Sequence, residues 1–390
     1  MQTSSWRTVA TLGAAQTLAW ASSYYLPAML ATPMALEFGL APATIFAAFS
    51  VALVVSALVG PWAGRRIDRH GGRPLLMGSS LLFALGLAAL GLAQGPVSLF
   101  AAWLLLGLAM AGGLYDAAFA SLVRLYGQDA RRSITGITLI AGFASTVGWP
   151  LSTLMEQHWG WRGACLGWAA LHLLLGLPLN AWLPRAAPET VLAKPMKKAS
   201  DGAGSAQASV RAAWILALVF AVAGFVGTAM AAHLPRLLQA QGSSLAAAVA
   251  VGALIGPAQV GARLLEYGVL RRAHPLWIAR AATAMHPLGG VLLAVFGAPL
   301  APLFGLLHGG GNGILTIVKG TLPLALFGAQ GYGQRQGLLM APMRVSQALS
   351  PWLFGLALDR WGGGAIWLTA LLGLLSLGGL LMIPARPAEH

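Results

Sequence analysis

Charge is what this sequence has least of. Of 390 residues only 9% are Asp, Glu, Lys or Arg, while 57% are hydrophobic. Soluble domains carry about 25% charged residues, so most of this surface faces something other than water. Acids are scarcest: ten Asp and Glu stand against 24 Lys and Arg, a net charge of +14. A basic balance can signal nucleic acid, but these cations lie in short loops between apolar runs and form no binding stripe. No nucleic-acid partner is expected. The single cysteine, Cys165, excludes an intramolecular disulfide and reads as a small buried hydrophobe. Neither CxxC, HExxH nor GxSxG occurs, so no metal, cofactor or catalytic residue is expected. The absence of an ATP-binding motif leaves a gradient or a partner as the source of energy.

Long apolar runs are abundant. A membrane span needs about 20 apolar residues, and about twelve such runs occur, near 9–33, 42–64, 74–94, 97–122, 134–156, 163–183, 212–238, 245–268, 275–297, 300–323, 337–357 and 364–384. Arg7 followed by a long apolar run without a clear cleavage site reads as a retained first helix, not a signal peptide. Arg7, the 65–73 loop, Arg124, Arg131, Arg132, the 185–211 segment, Arg271, Arg272, Arg335 and Arg386 fall on one side of the bilayer. Arg162, Arg236 and Arg360 fall on the other with Glu37, Glu156 and Asp359. Basic residues are retained inside, so both termini are expected in the cytoplasm.

The two halves echo each other. Tyr25-Leu26-Pro27 matches His233-Leu234-Pro235, and Gly60-Pro61 matches Gly256-Pro257. The run from Gly107 matches that from Gly305, and Trp159-Gly160 matches Trp361-Gly362. Four pairs in the same order imply two related six-helix bundles, 1–184 and 212–390. The polar, low-complexity segment 185–211 reads as a flexible cytoplasmic linker.

The densest charge lies in GPWAGRRIDRHGGRP, residues 60–74. Gly71 and Gly72 suit a tight turn there. Gly64, Asp68, Arg69, Gly71 and Arg73 fit G-x-x-x-D-[RK]-x-G-x-[RK], which resembles the loop between the second and third helices of the major facilitator superfamily. WGWRGA at 159–164 is similar to the superfamily as well. The resemblance covers the whole chain. It implies an all-α integral membrane fold of twelve helices in two pseudo-symmetric halves, with the substrate path at their interface. It also implies a charge latch, in which Asp68 holds arginines and a neighbouring helix terminus. The AHLPRLLQAQGSS run at 232–244 resembles the bacterial monocarboxylate and oxalate/formate porter branch. Gly142, Gly148 and Pro150 fit the glycine-proline pattern of drug/proton antiporters only in part.

Ionisable groups inside spans are costly and usually face a cavity or a partner. Gln259, Arg263 and Glu266 share a helical face, as do Met340, Arg344 and Gln347. Either arginine suits a carboxylate, because guanidinium presents a planar fork; alternatively, Arg263 pairs with Glu266 or lies at the cytoplasmic gate. His308, Asn312, Thr316 and Lys319 form a polar stripe, with Lys319 placed to snorkel to the interface. Asp116 either carries a coupling proton or pairs with Arg124 or Arg131. His233 is a second titratable candidate and otherwise a structural hydrogen-bonder. Gln16, Trp20, Ser23 and Pro27 share a face, with Tyr24 and Tyr25 adjacent, and suit a small organic ligand.

The candidate substrate-binding set is therefore Trp20, Tyr25, His233, Gln259, Arg263, Asn312 and Arg344. The coupling or gating set is Gly64, Asp68, Arg69, Gly71, Arg73, Asp116 and Glu266. The expected function is secondary transport of a small organic anion by a monomer in the inner-membrane bilayer, with proton symport as one mode. A proton-driven exporter of hydrophobic or cationic compounds is the alternative.

Overall fold

The computed structural model describes residues 2–186, 203–270 and 273–384. They are helical, with no strand among them. Contacts divide the chain into two compact units, residues 1–197 with 327–341 and residues 198–326 with 342–390. The first unit contains α1 (Gln2–Ser22), α2 (Leu26–Phe38), α3 (Pro42–His70), α4 (Gly72–Gly91), α5 (Pro96–Gly113), α6 (Tyr115–Tyr126), α7 (Ala130–Ala141), α8 (Ala144–Leu171) and α9 (Leu177–Ala181). The second contains α10 (Ala203–Ala240), α11 (Leu245–Gly268), α12 (Pro275–Phe296), most of α13 (Ala301–Phe327), the C-terminal part of α14 (Tyr332–Trp361) and α15 (Ile366–Leu381). The first turns of α14 pack in the first unit.

Each expected apolar run coincides with helix, and eight helical segments are long and apolar enough to cross a membrane. Leu58, Val97, Leu174, Trp214 and Leu375 stand exposed on these helices, as lipid-facing side chains do. Part of the expected linker, 187–202, lies outside the described residues. Its last residues belong to α10, which begins at Ala203 rather than near 212.

Three spans expected to be single helices are broken, the fifth span at Gly142–Phe143, between α7 and α8. The first splits between Ser22 and Leu26 because Pro27 has no N–H and its ring would meet the Ser23 carbonyl. The chain crosses the break with Tyr25 N–H donating to Trp20 O at 3.1 Å. Helical spacing therefore does not carry from Trp20 to Pro27, and their expected common face is withdrawn. The fourth span breaks at extended Leu114. There the Gly113 carbonyl loses its helical donor, and the buried Gln16 amide supplies another at 2.7 Å. Inside lipid a freed carbonyl must find such a partner.

The repeat is visible in the backbone. Gly160 interrupts α8 at φ 68°, separating the fifth and sixth runs, and Gly362 ends α14 at φ 52°. These are the paired Trp-Gly positions, and both adopt a conformation that favours glycine. Each unit also ties the C-terminal end of its first span to that same corner. Arg162 pairs with Glu37 at 2.8 Å, and Arg236 with Asp359 at 2.6 Å. Two donors hold the Glu37 carboxyl below its usual range: Arg162 first, then the Trp161 indole N–H.

At the basic loop only Gly71 takes positive φ, 78°. Gly72 serves a different need from the expected turn: a Cβ there would overlap the Ser121 side chain. A second set of glycines sets the crossing of α3 with the start of α14. Gly60 and Gly64 face Gly337 and Gly333, and a Cβ on Gly337 would lie 2.6 Å from the Gly60 carbonyl. A Cβ on Gly64 would overlap the Gly333 backbone, which cannot swing aside. Small residues four apart on both helices permit this approach. Gly64→Ala and Gly337→Ala are each expected to weaken the crossing by about 1–3 kcal/mol, read as a lower midpoint of thermal unfolding. Gly78→Ala, which meets nothing within 4 Å, is the control expected to hold or raise that midpoint.

Candidate functional site

The basic loop builds a defined contact. Asp68 lies in the last turn of α3, and its carboxylate accepts the Gly333 and Gln334 N–H groups, each at 2.9 Å. These are among the first amides of α14, which have no acceptor within their own helix. A carboxylate also complements the positive end of the helix dipole. The Asp68 main-chain carbonyl accepts from Arg124 Nε at 3.0 Å. Arg335 braces the turn before α14, donating to Gly328 O at 2.7 Å and Gln330 O at 3.1 Å. Gly64 lies one helical turn before Asp68 against Gly333, and Gly71 ends the helix. Arg69 is exposed and Arg73 half-buried.

An aromatic cluster fills the region around the α1–α2 break. Trp20 lies 4.8 Å from Tyr115, 5.0 Å from Tyr24 and 6.3 Å from Tyr25, centroid to centroid. Tyr24 meets Phe49 edge-on, and Phe49 meets Trp103 likewise. The Trp20 indole N–H is buried without a protein acceptor. Asp116 follows Tyr115 in the first turn of α6, half-buried, where the helix N-terminus favours an anion. The α5–α6 break thus places Asp116 at a helix start, which continuous helical spacing did not foresee.

In the second unit Arg263 and Arg344 are only 5% and 3% exposed. Arg263 Nε donates to the Gly313 carbonyl at 3.3 Å, and its Nη2 approaches Gln259 Oε1 at 3.5 Å. Arg344 Nη1 donates to Gln347 Oε1 at 3.2 Å. The i to i+4 and i to i+3 spacings read from sequence are realised as these contacts. Glu266 is buried on the same helix, 2% exposed. A Cβ added to Gly313 would meet the Gln259 backbone at 2.6 Å, so α11 and α13 cross closely beside Arg263. Asn312 is half-buried near Gly227. His233 Nε2 donates to the Pro351 carbonyl at 2.8 Å, and its ring packs near Phe354. That joins α10 to α14 and gives the histidine a structural partner.

Sequence reasoning passed over His286, Thr283 and Ser376. His286 Nδ1 lies 3.0 Å from His308 Nδ1. The three residues line a cavity of about 40 Å³ with His308 and Asn312. The available signal was the His-Pro pair inside the ninth apolar run. The reading of His308, Asn312, Thr316 and Lys319 as one stripe also left the facing helix unexamined. Among the described residues no group of three or more His, Cys, Asp or Glu could hold a metal ion.

Comparison with known proteins sets these clusters in a family. The family model of the Major Facilitator Superfamily matches residues 12–318. An "uncharacterized 38 kDa protein in 23S RNA operon" of Thermoproteus tenax is 27% identical over 337 residues, 85% of this chain and 83% of that protein. The 4-hydroxybenzoate transporter PcaK of Pseudomonas putida is 25% identical over 273 residues, 62% of this chain and 60% of that protein. Among solved structures, the transporter FucP in the outward conformation superposes with a TM-score of 0.77 at 15% identity. It covers 97% of this chain and 99% of that one. The human organic anion transporter MFSD10 superposes with a TM-score of 0.74 at 17% identity, covering 96% and 99%. At such identities the superpositions establish the fold alone. The protein is a multi-pass membrane transporter of small molecules rather than an enzyme, and the chain belongs to the Major Facilitator Superfamily.

Proposed function

We propose that the protein is a secondary active transporter of a small, carboxylate-like organic anion. It acts as a monomer in the inner membrane, with both termini cytoplasmic, by alternating access. Proton symport is its energy source, and its nearest functional kin are the monocarboxylate and oxalate/formate porters. The burial of Arg263 and Arg344 carries this reading. A guanidinium in a membrane helix is expensive, and an anionic cargo repays part of that cost through charge-assisted bonds. Similarity to PcaK, a transporter of an aromatic acid by its name, and the organic-anion assignment of MFSD10 point the same way.

In this reading the two arginines take the carboxylate, while Gln259, Asn312 and His233 fix orientation. Trp20 and Tyr25 offer aromatic faces to the rest of the cargo. Glu266 and Asp116 serve coupling. Asp68 with Gly64, Arg69, Gly71 and Arg73 forms a latch that favours one conformation. Residues 1–184 and 212–390 are the two six-helix halves, joined by 185–211. One observation favours the alternative, export of lipophilic cations: aromatic faces beside Asp116 suit a cation as well. Resistance to such compounds on overexpression, lost in Asp116→Asn, would mark that function.

Two measurements test the proposal. Uptake of labelled 4-hydroxybenzoate and short carboxylates into proteoliposomes should fall ten- to a hundredfold in Arg263→Ala and Arg344→Ala. That matches the loss of one charge-assisted bond of about 1.5–3 kcal/mol. Lysine should restore little at either position, lacking the planar fork; normal flux in both alanine variants would end the anion assignment. For the latch, Gln336→Cys places a thiol at a buried position on α14, in a Cys165→Ala background. Asp68→Ala should speed its alkylation on the order of tenfold, as removal of about 1.5–3 kcal/mol of capping predicts. An unchanged rate would show that the contact does not hold α14 closed.

A further inference from the structure

The cavity between α10, α12, α13 and α15 shares only Asn312 with the anion site just described. Its volume, about 40 Å³, admits roughly two or three waters, at about 10–15 Å³ each. It is far too small for an organic cargo. Three of its polar atoms lack protein partners: Thr283 Oγ1, His286 Nε2 and Ser376 Oγ. Their residues are 6%, 8% and 1% exposed. Leaving three such atoms dry inside a bundle would cost several kcal/mol in sum, at about 1–3 kcal/mol each. The half-buried Asn312 reaches the same space. The exposed lining is mostly apolar, yet Thr283, His286, Ser376 and Asn312 together offer the two to four partners that a buried water needs.

The histidine pair gives this wet site a chemistry. His286 Nδ1 and His308 Nδ1 lie 3.0 Å apart. Two neutral imidazoles in that contact require one Nδ1–H to donate and the other Nδ1 to accept. When His286 donates, its Nε2 carries a lone pair that no protein group meets. His308 is held for this contact by the Phe304 ring, nearly parallel at 10° and 5.8 Å away. Phe304 also meets His286 edge-on at 5.6 Å.

We propose that the His286–His308 pair, with the waters of its cavity, is a proton-binding site built into the second unit. A proton from bulk water adds to His286 Nε2 and forms one N–H bond. His286 becomes an imidazolium that donates through Nδ1–H to His308 and through Nε2–H to water. Release returns the same proton to water and restores the neutral pair. The charge is solvated by waters on the Thr283 and Ser376 hydroxyls and the Asn312 amide. Of the elements around the cavity, α10 contributes Val219, Val222, Ala223, Val226 and Gly227, and α15 contributes Gly373 and Ser376. None of these titrates. On α12, Arg280 is turned away, its guanidinium bound to the Leu380, Leu381 and Ile383 carbonyls. His286 and His308 are therefore the only titratable groups among the lining residues. A role for this proton in driving cargo rests on the transporter reading; the proton site itself does not.

The test separates the two. Full-length protein labelled with 15N-histidine in lipid nanodiscs is titrated by NMR, with the pair assigned by signals lost in His286→Gln and His308→Gln. The expected result is uptake of one proton shared by the pair as the pH is lowered. Ser376→Ala and Thr283→Val keep both rings but remove water partners, so the protonated fraction at a given pH should fall. A pair that stays neutral throughout, or two hydroxyl variants that leave the titration unmoved, overturns the proposal. These variants also decide the matter if His286→Gln does not fold. In proteoliposomes loaded for 4-hydroxybenzoate uptake, an imposed proton gradient should accelerate the wild type. The ratio of uptake with and without the gradient should fall to unity in His286→Gln. A ratio unchanged in that variant removes the coupling role. A wild type that moves no carboxylate while its histidine pair titrates refutes the anion reading and leaves the proton site standing.

Discussion

Backbone hydrogen bonding in a medium without water is the constraint on which this structure depends. A carbonyl or amide freed inside lipid has no solvent to turn to, yet several of these apolar runs break along their length. The polar side chains within the spans answer that need one by one. Gln16 serves the Gly113 carbonyl at the α5–α6 break. Asp68 serves the first amides of α14. Arg280 gathers the last carbonyls of α15, where a cation also complements the dipole. His233 donates to Pro351 O and Ser350 to Phe225 O, linking α10 and α14. Polar residues in this membrane protein are first of all the partners of interrupted backbone.

The two sequence repeats solve the same problem with different parts. Both turn the corner after their paired tryptophan on a left-handed glycine, Gly160 or Gly362. Both brace it with an arginine–carboxylate pair reaching the end of their first span. These pairs are partly exposed, so geometry rather than energy is their contribution; exposed pairs seldom exceed about 1 kcal/mol. The interior has diverged. Pro27 splits the first span of one unit, whereas Pro235 lies inside an unbroken α10. The conserved shape of the corner with a changed interior fits two halves that share a mechanical frame and divide the chemistry.

The frame was legible in the sequence, because span length, basic loops and Trp-Gly corners are local signals. The Asp68 latch was legible in kind, since the motif implied an acid holding a neighbouring helix terminus. That the terminus belongs to Gly333 and Gln334 was not, because a contact across 265 residues leaves no spacing to read. Helical spacing worked where the helix continues, as with Gln259 and Arg263. It failed across Ser23–Tyr25 and Leu114, where the interruption of the helix rotates every later side chain. Gly72 was assigned to the turn because turns are what sequence shows of glycine; its need for space beside Ser121 is tertiary.

The contrast between capped and uncapped polar groups separates structural from functional residues more sharply than burial does. Arg280 and Gln16 are polar groups in apolar helices, and each is explained by the carbonyls it binds. Trp103 has a buried indole N–H without a protein acceptor, but it is a single donor in an aromatic stack, a tolerable local loss. Thr283, His286 and Ser376 differ from both. They come from two helices, face one cavity and lack protein partners together. Packing alone would favour filling that space with a methyl group or two, since dry cavities destabilise in proportion to their volume. Valine, alanine and leucine side chains make up much of the wall, but the polar groups from separate helices give a water its partners. The cavity's size and chemistry suit water and the proton that water carries.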